Sequence, residues 1–296
     1  MTFSRVLTFL KIRIDLNYMN PKTQTAMQVA RNLIFIPVCA SCGERLSPIP
    51  ERKEGPTRGK ICFCRKCMGK WIAARAEICP VCANTSDKCN CTPDYFFNHQ
   101  PEIPSLCFYR PESGNAGSKA IIIMKRRVHF ELFDFMAEEL SDRLSLTLAK
   151  MKLDAKDCIF TWVPRKRRAV NEHGFDQAKE LTKRMARLMG AQAYPLLTRS
   201  GGKEQKRLDK TNRKSNAEKS IHLRENIGKL KRRFGDSSVK SFVKGKTVII
   251  IDDVMTSGAT LKRSCELLLA AKAENTIVAC IAKSVNVKAA SKNSKS

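Results

Sequence analysis

The sequence predicts an α/β protein whose parallel sheet is preceded by a small metal-binding module. The first observation is that apolar strand patterns alternate with helical patterns from residue 118 onward. The second is that nine of the 13 cysteines lie within residues 39–91, in close pairs. The third is an apolar run at residues 248–260 that ends in two adjacent carboxylates and a hydroxyl-rich turn. A chain of 296 residues is long enough for a sizeable core plus a smaller module.

The alternation of elements can be followed along the chain. Residues 118–152 are amphipathic and helical in character, and DCIFTWVP at 157–164 predicts a strand. Apolar positions at helical spacing in 178–189, with Gly190 as a stop, predict the next helix. VIII at 248–251 and TIVACIA at 276–282 predict two strands, with a helix from about Leu261 between them. This order predicts a parallel sheet with helices on both faces.

The segment 248–260, VIIIDDVMTSGAT, predicts a strand, a tight loop and a helix. At the carboxyl end of a parallel strand, such a loop lies where open α/β sheets bind ligands, and the next helix presents its free N–H groups there. Thr256, Ser257 and Thr260 add hydroxyl donors, and Gly258 allows the backbone to approach a ligand closely. These features indicate a cradle for a phosphate.

The two carboxylates add a second requirement to this site. Asp252 and Asp253 would repel a phosphate unless they serve neighbouring hydroxyls or a divalent cation carried with the ligand. A sugar phosphate meets both requirements, because its phosphate suits the cradle and its hydroxyls suit the carboxylates. An ordinary capped strand-to-helix connection is the alternative, but the order of the whole string favours a ligand site. The chain contains neither G-x-x-x-x-G-K-[ST] nor G-x-G-x-x-G, so the acidic pair does not indicate an ATPase.

The clustered cysteines indicate metal rather than disulfides, because nothing else in the chain suggests an oxidising compartment. Two C-x-x-C turns supply the four thiolates of a closed, structural zinc site. The spacing predicts one or two zinc sites, with Cys62 as an alternative to Cys64 and with C-x-C as the last pair. The predicted ligands are Cys39, Cys42, Cys64 and Cys67 for the first site and Cys79, Cys82, Cys89 and Cys91 for the second. The other cysteines, Cys107, Cys158, Cys265 and Cys280, are predicted to be small core residues.

The net charge of +27 favours phosphate polyanions, nucleic acid above all, or an anionic membrane surface as partners. Residues 165–168 crowd four cations at the end of a predicted strand, where a pyrophosphate or nucleic acid would meet them. Residues 199–233 carry 13 Lys or Arg against four Asp or Glu and predict a mobile loop. Such a loop suits closure over a pyrophosphate or a nucleic-acid clamp, and the sequence does not separate these uses.

The longest apolar runs fall far short of a membrane span, so no transmembrane helix is expected. The first residues have scattered charges and no cleavage site after an apolar core, which argues against a secretory signal. These observations predict a cytoplasmic protein.

The string at 248–260 resembles the phosphoribosyl pyrophosphate (PRPP) signature of type I phosphoribosyltransferases. The resemblance implies that Asp252 and Asp253 lie by the ribose 2′ and 3′ hydroxyls and serve catalysis, and that magnesium accompanies PRPP. It implies that the segment from residue 255 to 260 holds the 5′-phosphate. The implied PRPP-binding set is Asp252, Asp253, Val254, Met255, Thr256, Ser257, Gly258, Ala259 and Thr260.

Over residues 39–283 the chain resembles the ComF family of competence-type phosphoribosyltransferase-like proteins. The resemblance rests on the cysteine pairs, IIIMK at 121–125, VP with a basic loop and GFDQ at 174–177, Q-x-x-L-x-x-x-x-R-x-x-N at 205–216, and the PRPP string. The family usually has R-G-F-N-Q where this chain has His173 and Asp176. The resemblance implies a PRPP contact at Arg168 and nucleic-acid or loop contacts at Gln205, Lys206, Arg207, Arg213 and Lys214.

The resulting organisation has an extension at 1–34, a zinc ribbon, predicted to be double, at 35–95, a phosphoribosyltransferase-like domain at 105–285 and a basic tail at 286–296. The favoured function is a PRPP-binding protein of DNA uptake or processing, with single-stranded DNA and competence-type DNA-processing proteins as partners. One alternative is a phosphoribosyltransferase of nucleobase or nucleotide metabolism. The other is a zinc-ribbon nucleic-acid adaptor with a degenerate transferase fold.

Overall fold

A five-stranded parallel sheet organises the larger part of the structure. The computed structural model describes residues 38–46, 62–89, 91, 95–96, 99–112, 115–126, 129–200, 220–228, 235 and 238–284. The sheet has the order β1-β7-β6-β2-β3, and β4 pairs with β5 in a separate antiparallel ladder. The strands are β1 (Cys107–Phe108), β2 (Ile159–Trp162), β3 (Gln192–Ala193), β4 (Leu197–Arg199), β5 (Ile221–Leu223), β6 (Thr247–Met255) and β7 (Asn275–Lys283).

Helices cover both faces of the sheet, as the sequence predicts. They are α1 (Arg65–Ala76), α2 (Ala116–Arg126), α3 (Phe130–Lys150), α4 (Arg167–His173), α5 (Gln177–Leu188), α6 (Val239–Val243) and α7 (Ala259–Ala270), with a 3₁₀ turn at Ala155–Asp157. Ile249 and Ile251 of β6 face the core built with α2, α3 and α5. Val248 and Ile250 face the opposite core, built with α6 and α7. The alternation of a strand places successive side chains on opposite faces, so β6 is buried on both.

Between β6 and β2, at the centre of the sheet, the strand order changes direction although all the strands run parallel. From β2 the chain passes through α5 to β3 on one side, and from β6 it passes through α7 to β7 on the other. α5 and α7 pack against opposite faces. Their starts therefore diverge at the carboxyl ends of β2 and β6, and in open α/β sheets a ligand crevice lies at such a point.

Four local features differ from the sequence prediction. β6 continues through both aspartates to Met255 instead of ending at Ile251, because it pairs with β7 as far as Lys283. The predicted basic loop after Pro164 is partly helical, since Arg167–His173 forms α4. The single helical stretch predicted at 118–152 is two helices, α2 and α3. Within segment 199–233, Arg199 is the last residue of β4 and Ile221–Leu223 forms β5, so these described parts are paired and not irregular.

The first cysteine module shares a core with the α/β part. Phe63 and Trp71 stack at 6.1 Å between ring centroids, and both meet Phe135 of α3 edge-on. An ion pair between Arg75 and Glu139 also joins α1 to α3. Aromatic contacts of this kind add to the stabilisation from apolar burial, so the module is fixed against α3.

The four cysteines outside the cluster region, namely Cys107, Cys158, Cys265 and Cys280, are buried, which confirms their prediction as core residues. Within the part of the chain that the structure describes, none of the helices combines the length and apolar character needed to cross a membrane.

Candidate functional site

The turn after β6 places a helix N-terminus beside the two aspartates. Gly258 is the N-cap of α7 and has φ of +72°, a left-handed conformation that glycine adopts without steric cost. The first backbone N–H groups of α7 have no carbonyl partner within the helix, and that of Ala259 donates to Ser257 Oγ at 3.5 Å. A helix N-terminus of this kind favours an anion. We refer to residues 256–260 as the β6–α7 turn. Its geometry fits the predicted phosphate cradle.

Asp253 lies in a network of donors contributed by three elements. Its Oδ2 accepts a hydrogen bond of 2.8 Å from Gln177 Nε2 at the start of α5. Lys125 Nζ, from the end of α2, lies 3.3 Å from the same oxygen. The backbone N–H of Val254 donates to Oδ1 at 2.7 Å. Asp253 is only 9% exposed, and a buried carboxylate needs hydrogen-bond donors of this kind. Together they hold the carboxylate in one orientation.

Asp252 lies next to this network and differs from Asp253 in its electrostatics. Its Oδ1 accepts a hydrogen bond from the Asp253 N–H at 2.8 Å. Burial raises the pKa of Asp252 well above the ordinary value, and the neighbouring Asp253 carboxylate raises it further. A cation or hydroxyl donors between the two carboxylates would offset this repulsion. Ionised carboxylates are the hard oxygen ligands that magnesium prefers, and they also accept hydrogen bonds from sugar hydroxyls.

A cavity of about 320 Å³ opens above the two aspartates. This volume lies at the lower end of the range for small-molecule sites. Its lining combines three carboxylates with four cations, and the cations are contributed by α2, the β2–α4 connection and β4. The lining residues are Lys125, Val163, Pro164, Arg165, Lys166, Ala169, Asp176, Gln177, Ala178, Arg199, Asp252, Asp253 and Thr260.

The predicted PRPP-binding residues are distributed unevenly around this cavity. Asp252, Asp253 and Thr260 line it. Val254 is partly buried against the core on the α3 side of the sheet, and Met255 is buried in the core on the α7 side. In the turn itself, Thr256 and Ser257 are exposed, Gly258 is buried and Ala259 is half-buried. Arg168 is exposed on α4 and does not line the cavity, whereas Arg165 and Lys166 do. The predicted contacts Gln205, Lys206, Arg207, Arg213 and Lys214 lie outside the described residues.

The predicted PRPP-binding set omits several polar and charged residues that line the cavity, namely Lys125, Arg165, Lys166, Asp176, Gln177 and Arg199. Lys125 and Arg199 come from distant parts of the chain, and only the topology brings them to the aspartates. Asp176 caps α5 by accepting from the Lys179 N–H, and it also accepts from the Arg165 N–H at 3.0 Å. The departure from the family pattern at Asp176 thus has a structural role, because this carboxylate fixes the basic connection over the cavity. A capping signal at Asp176 was readable from the sequence.

The two cysteine clusters have the same local fold. In the first, the Cys39 N–H donates to the Glu44 carbonyl and the Gly43 N–H donates to the Cys39 carbonyl. In the second, the Cys79 N–H donates to the Asn84 carbonyl and the Ala83 N–H donates to the Cys79 carbonyl. Gly43 and Ala83 both have positive φ, of 78° and 55° respectively. This repeated turn brings each C-x-x-C pair of thiols to one side.

Each cluster gathers the four predicted thiols. Within the first cysteine cluster (Cys39, Cys42, Cys64, Cys67) and the second (Cys79, Cys82, Cys89, Cys91), all Sγ atoms lie within 4.8 Å of one another. A zinc–sulfur bond of about 2.3 Å gives a tetrahedron with edges of about 3.8 Å. Cys42 and Cys64 Sγ are 3.7 Å apart, and Cys79 and Cys91 Sγ are 3.8 Å apart. Both clusters are compatible with structural zinc, and the short C-x-C pair does not prevent the second.

The first cluster uses Cys64 and not the alternative Cys62. Cys62 is fully buried, and its carbonyl accepts from the Ala40 N–H at 2.8 Å. All 13 cysteines are free of disulfides.

One comparison with known proteins matches the part of the chain that contains the two aspartates. Residues 197–295 match the family model described as "Phosphoribosyl transferase domain", a span that contains β6, the β6–α7 turn and β7. A comparison of the sequence with curated proteins gives no match. The match places a phosphoribosyl transferase domain where the chain carries the aspartates and the turn.

Two solved structures show low similarity to this chain. A hypoxanthine phosphoribosyltransferase from Staphylococcus aureus is 14% identical with a TM-score of 0.29, over 51% of this chain and 62% of that one. A glutamine PRPP amidotransferase from B. subtilis, in complex with ADP and GMP, is 12% identical with a TM-score of 0.26, over 71% of this chain and 43% of that one. This chain thus spans less than two thirds of either protein, and TM-scores below 0.5 support no conclusion about it.

Proposed function

We propose that this protein binds PRPP in the cavity above Asp252 and Asp253. The observation that carries the proposal is that one cavity is lined by both carboxylates and cations. The aspartates suit ribose hydroxyls and a divalent cation. Lys125, Arg165 and Arg199 suit the negative charge of a phosphate or pyrophosphate group.

The same arrangement suits phosphoribosyl transfer. In that reaction a nucleophile forms a bond to C1′ of the ribose as the bond to pyrophosphate breaks, and the pyrophosphate leaves with the electron pair. Cations in the cavity wall would stabilise the charge that develops on the leaving group. The carboxylates of Asp252 and Asp253 would orient the ribose and face the positive charge that develops on its ring. Magnesium, when bound with PRPP, would offset the charge of the pyrophosphate.

For the biological role we propose DNA uptake or processing of the type found in the ComF family. An exposed basic surface beside the cavity supports this role. Lys166, Arg167 and Arg168 are all exposed at the start of α4, and Lys166 also lines the cavity. The net charge of +27 adds a field that attracts nucleic acid. Single-stranded DNA is the proposed partner, and structural zinc in the two cysteine clusters the proposed metal.

Calorimetric titration of zinc-loaded protein with PRPP and magnesium tests the PRPP proposal. We expect one site per chain, and we expect Asp253→Asn to weaken binding about tenfold or more, because it removes a charged acceptor. Asp142→Asn is the matched control, since Asp142 is an exposed carboxylate on α3 outside this cavity. Equal affinity in all three proteins would place PRPP elsewhere, and no binding to the wild type would refute the function.

A transfer assay then separates the two proposed uses of the site. PRPP is incubated with nucleobases and released pyrophosphate is measured, in wild type and in Asp253→Asn. Release that depends on an added base and on Asp253 would establish a transferase. Tight PRPP binding without such release, together with DNA binding that survives Asp253→Asn, would support a DNA-handling protein that uses PRPP as a ligand.

A further inference from the structure

Phe96, which follows the second cysteine cluster in the chain, lies directly on the β6–α7 turn. Phe96, which is 1% exposed, packs its ring against Gly258. A Cβ built on Gly258 would lie 2.9 Å from Cε2 and 3.4 Å from Cζ of that ring. The left-handed glycine at the start of α7 is therefore covered by an aromatic ring that leaves no room for a side chain.

The position of Phe96 is fixed by contacts on several sides. Its ring meets Tyr95 edge-on at 5.4 Å, and Lys262 Nζ of α7 lies 5.2 Å from the Tyr95 ring centroid. The Phe96 carbonyl accepts from the Gln100 N–H at 3.1 Å. The buried Gln100 side chain then bonds β7, accepting from the Val278 N–H at 2.6 Å and donating to its carbonyl at 2.9 Å. The ring is thus tied to both α7 and the sheet.

A second connection joins the cysteine cluster to the same place. Lys283 at the end of β7 is 1% exposed, and its Nζ donates to the Cys89 carbonyl at 3.1 Å. In the sheet, Lys283 pairs with Met255, the residue before the β6–α7 turn. Cys91, the last thiol of the second cluster, lies five positions before Phe96. Zinc in this cluster would hold Cys89 and Cys91 in place and so limit the movement of both connections.

We propose that Phe96 is a positioning residue for the β6–α7 turn and that the second cysteine cluster anchors it there. This inference rests on the proposed function, because the turn is the part of the PRPP site that would receive a phosphate. The first cluster packs against α3 on the other side of the sheet. Occupancy of the second cluster, rather than the first, is therefore coupled to phosphate binding.

The test compares two equivalent substitutions in the full-length, zinc-loaded protein. Phe96→Leu removes the ring beside Gly258, whereas Phe135→Leu removes an equally buried ring, also 1% exposed, beside the first module. We expect Phe96→Leu to speed amide hydrogen exchange in residues 256–261 without ligand and to lower PRPP affinity at least about fivefold. Phe135→Leu should lower overall stability but leave both readouts at wild-type values.

A cysteine pair extends the comparison to the clusters. Cys91→Ser should speed exchange in residues 256–261, and Cys42→Ser, which opens the first cluster, should not. Unchanged exchange in this segment in Phe96→Leu or in Cys91→Ser would overturn the inference, as would equal effects of the two members of either pair. Exchange without ligand does not require PRPP, so a wild type that fails to bind PRPP would refute the proposed function separately.

Discussion

The contact between Gly258 and the Phe96 ring gives a stability prediction with a matched control. We consider Gly258→Ala and Gly245→Ala. Both glycines have positive φ, +72° and +65° respectively. A Cβ on Gly245 meets no atom within 4 Å, whereas one on Gly258 meets the Phe96 ring at 2.9 Å. The two substitutions share the backbone cost and differ in the steric one.

The expected magnitudes follow from these two contributions. A left-handed conformation costs a residue with a Cβ about 1–2 kcal/mol, so Gly245→Ala should lower the free energy of unfolding by about that much. Inserting a methyl group into a packed site costs a further amount of about 1–3 kcal/mol. Gly258→Ala should therefore lower the free energy of unfolding by about 2–5 kcal/mol. It should also weaken PRPP binding, which Gly245→Ala should leave unchanged.

Urea denaturation of the zinc-loaded proteins measures both values, and repeating Gly258→Ala in a Phe96→Ala background isolates the ring contact. In that background we expect the cost of Gly258→Ala to fall towards that of Gly245→Ala, because neighbouring substitutions that relieve a shared clash are not additive. Equal costs of the two glycine substitutions in the otherwise wild-type protein would refute the reasoning. So would a cost at Gly258 that does not depend on Phe96.

Three further predictions concern the metal, the aspartates and the charge. Metal analysis should find two zinc ions per chain in the wild type and in Cys62→Ala, but one in Cys64→Ala. Loss of zinc from Cys62→Ala would contradict the assignment of Cys64 rather than Cys62 to the first cluster. Because the pKa of Asp252 is raised in the folded protein, its ionisation destabilises the fold as pH rises above the ordinary carboxyl range. Thermal unfolding at pH 7 should thus show Asp252→Asn to be more stable than wild type although it no longer binds PRPP, and a lower melting temperature would contradict this. Replacing Arg167 and Arg168 by alanine should weaken the salt dependence of single-stranded DNA binding. The slope of log affinity against log salt should become shallower by about 0.7 for each phosphate that is no longer neutralised. An unchanged slope would show that this surface does not contact DNA phosphates.

Local patterns in the sequence predict the parts of the structure that depend on neighbouring residues. The apolar runs of β6 and β7, the helical spacing of α5 and the C-x-x-C pairs all act over a few positions, and each has the predicted form. The boundaries were less well predicted where tertiary pairing extends an element. Asp252 and Asp253 are polar, yet β6 continues through them because β7 offers hydrogen-bonding partners alongside.

The residues that sequence analysis missed act across long distances in the chain. Lys125 meets Asp253 only because α2 and β6 end at the same edge of the sheet. The contact of Phe96 with Gly258 likewise joins residues that are far apart in the chain. Lys125 ends the IIIMK motif, but the motif does not name the partner of Lys125, and Phe96 lies in no motif. Both contacts follow from strand order and packing rather than from local spacing.

Hydrogen exchange of the zinc-loaded wild type, with and without PRPP and magnesium, tests the proposed site most directly. Bound PRPP should slow amide exchange in residues 252–261 and in 163–178, two segments that contribute most of the residues lining the cavity. A second cavity is lined by Asp142 and Leu148 of α3, and this part of α3 provides an internal control that should exchange at the same rate in both states. Slower exchange around Asp142 alone, or no change anywhere at saturating PRPP, would contradict a PRPP site at the carboxyl end of β6.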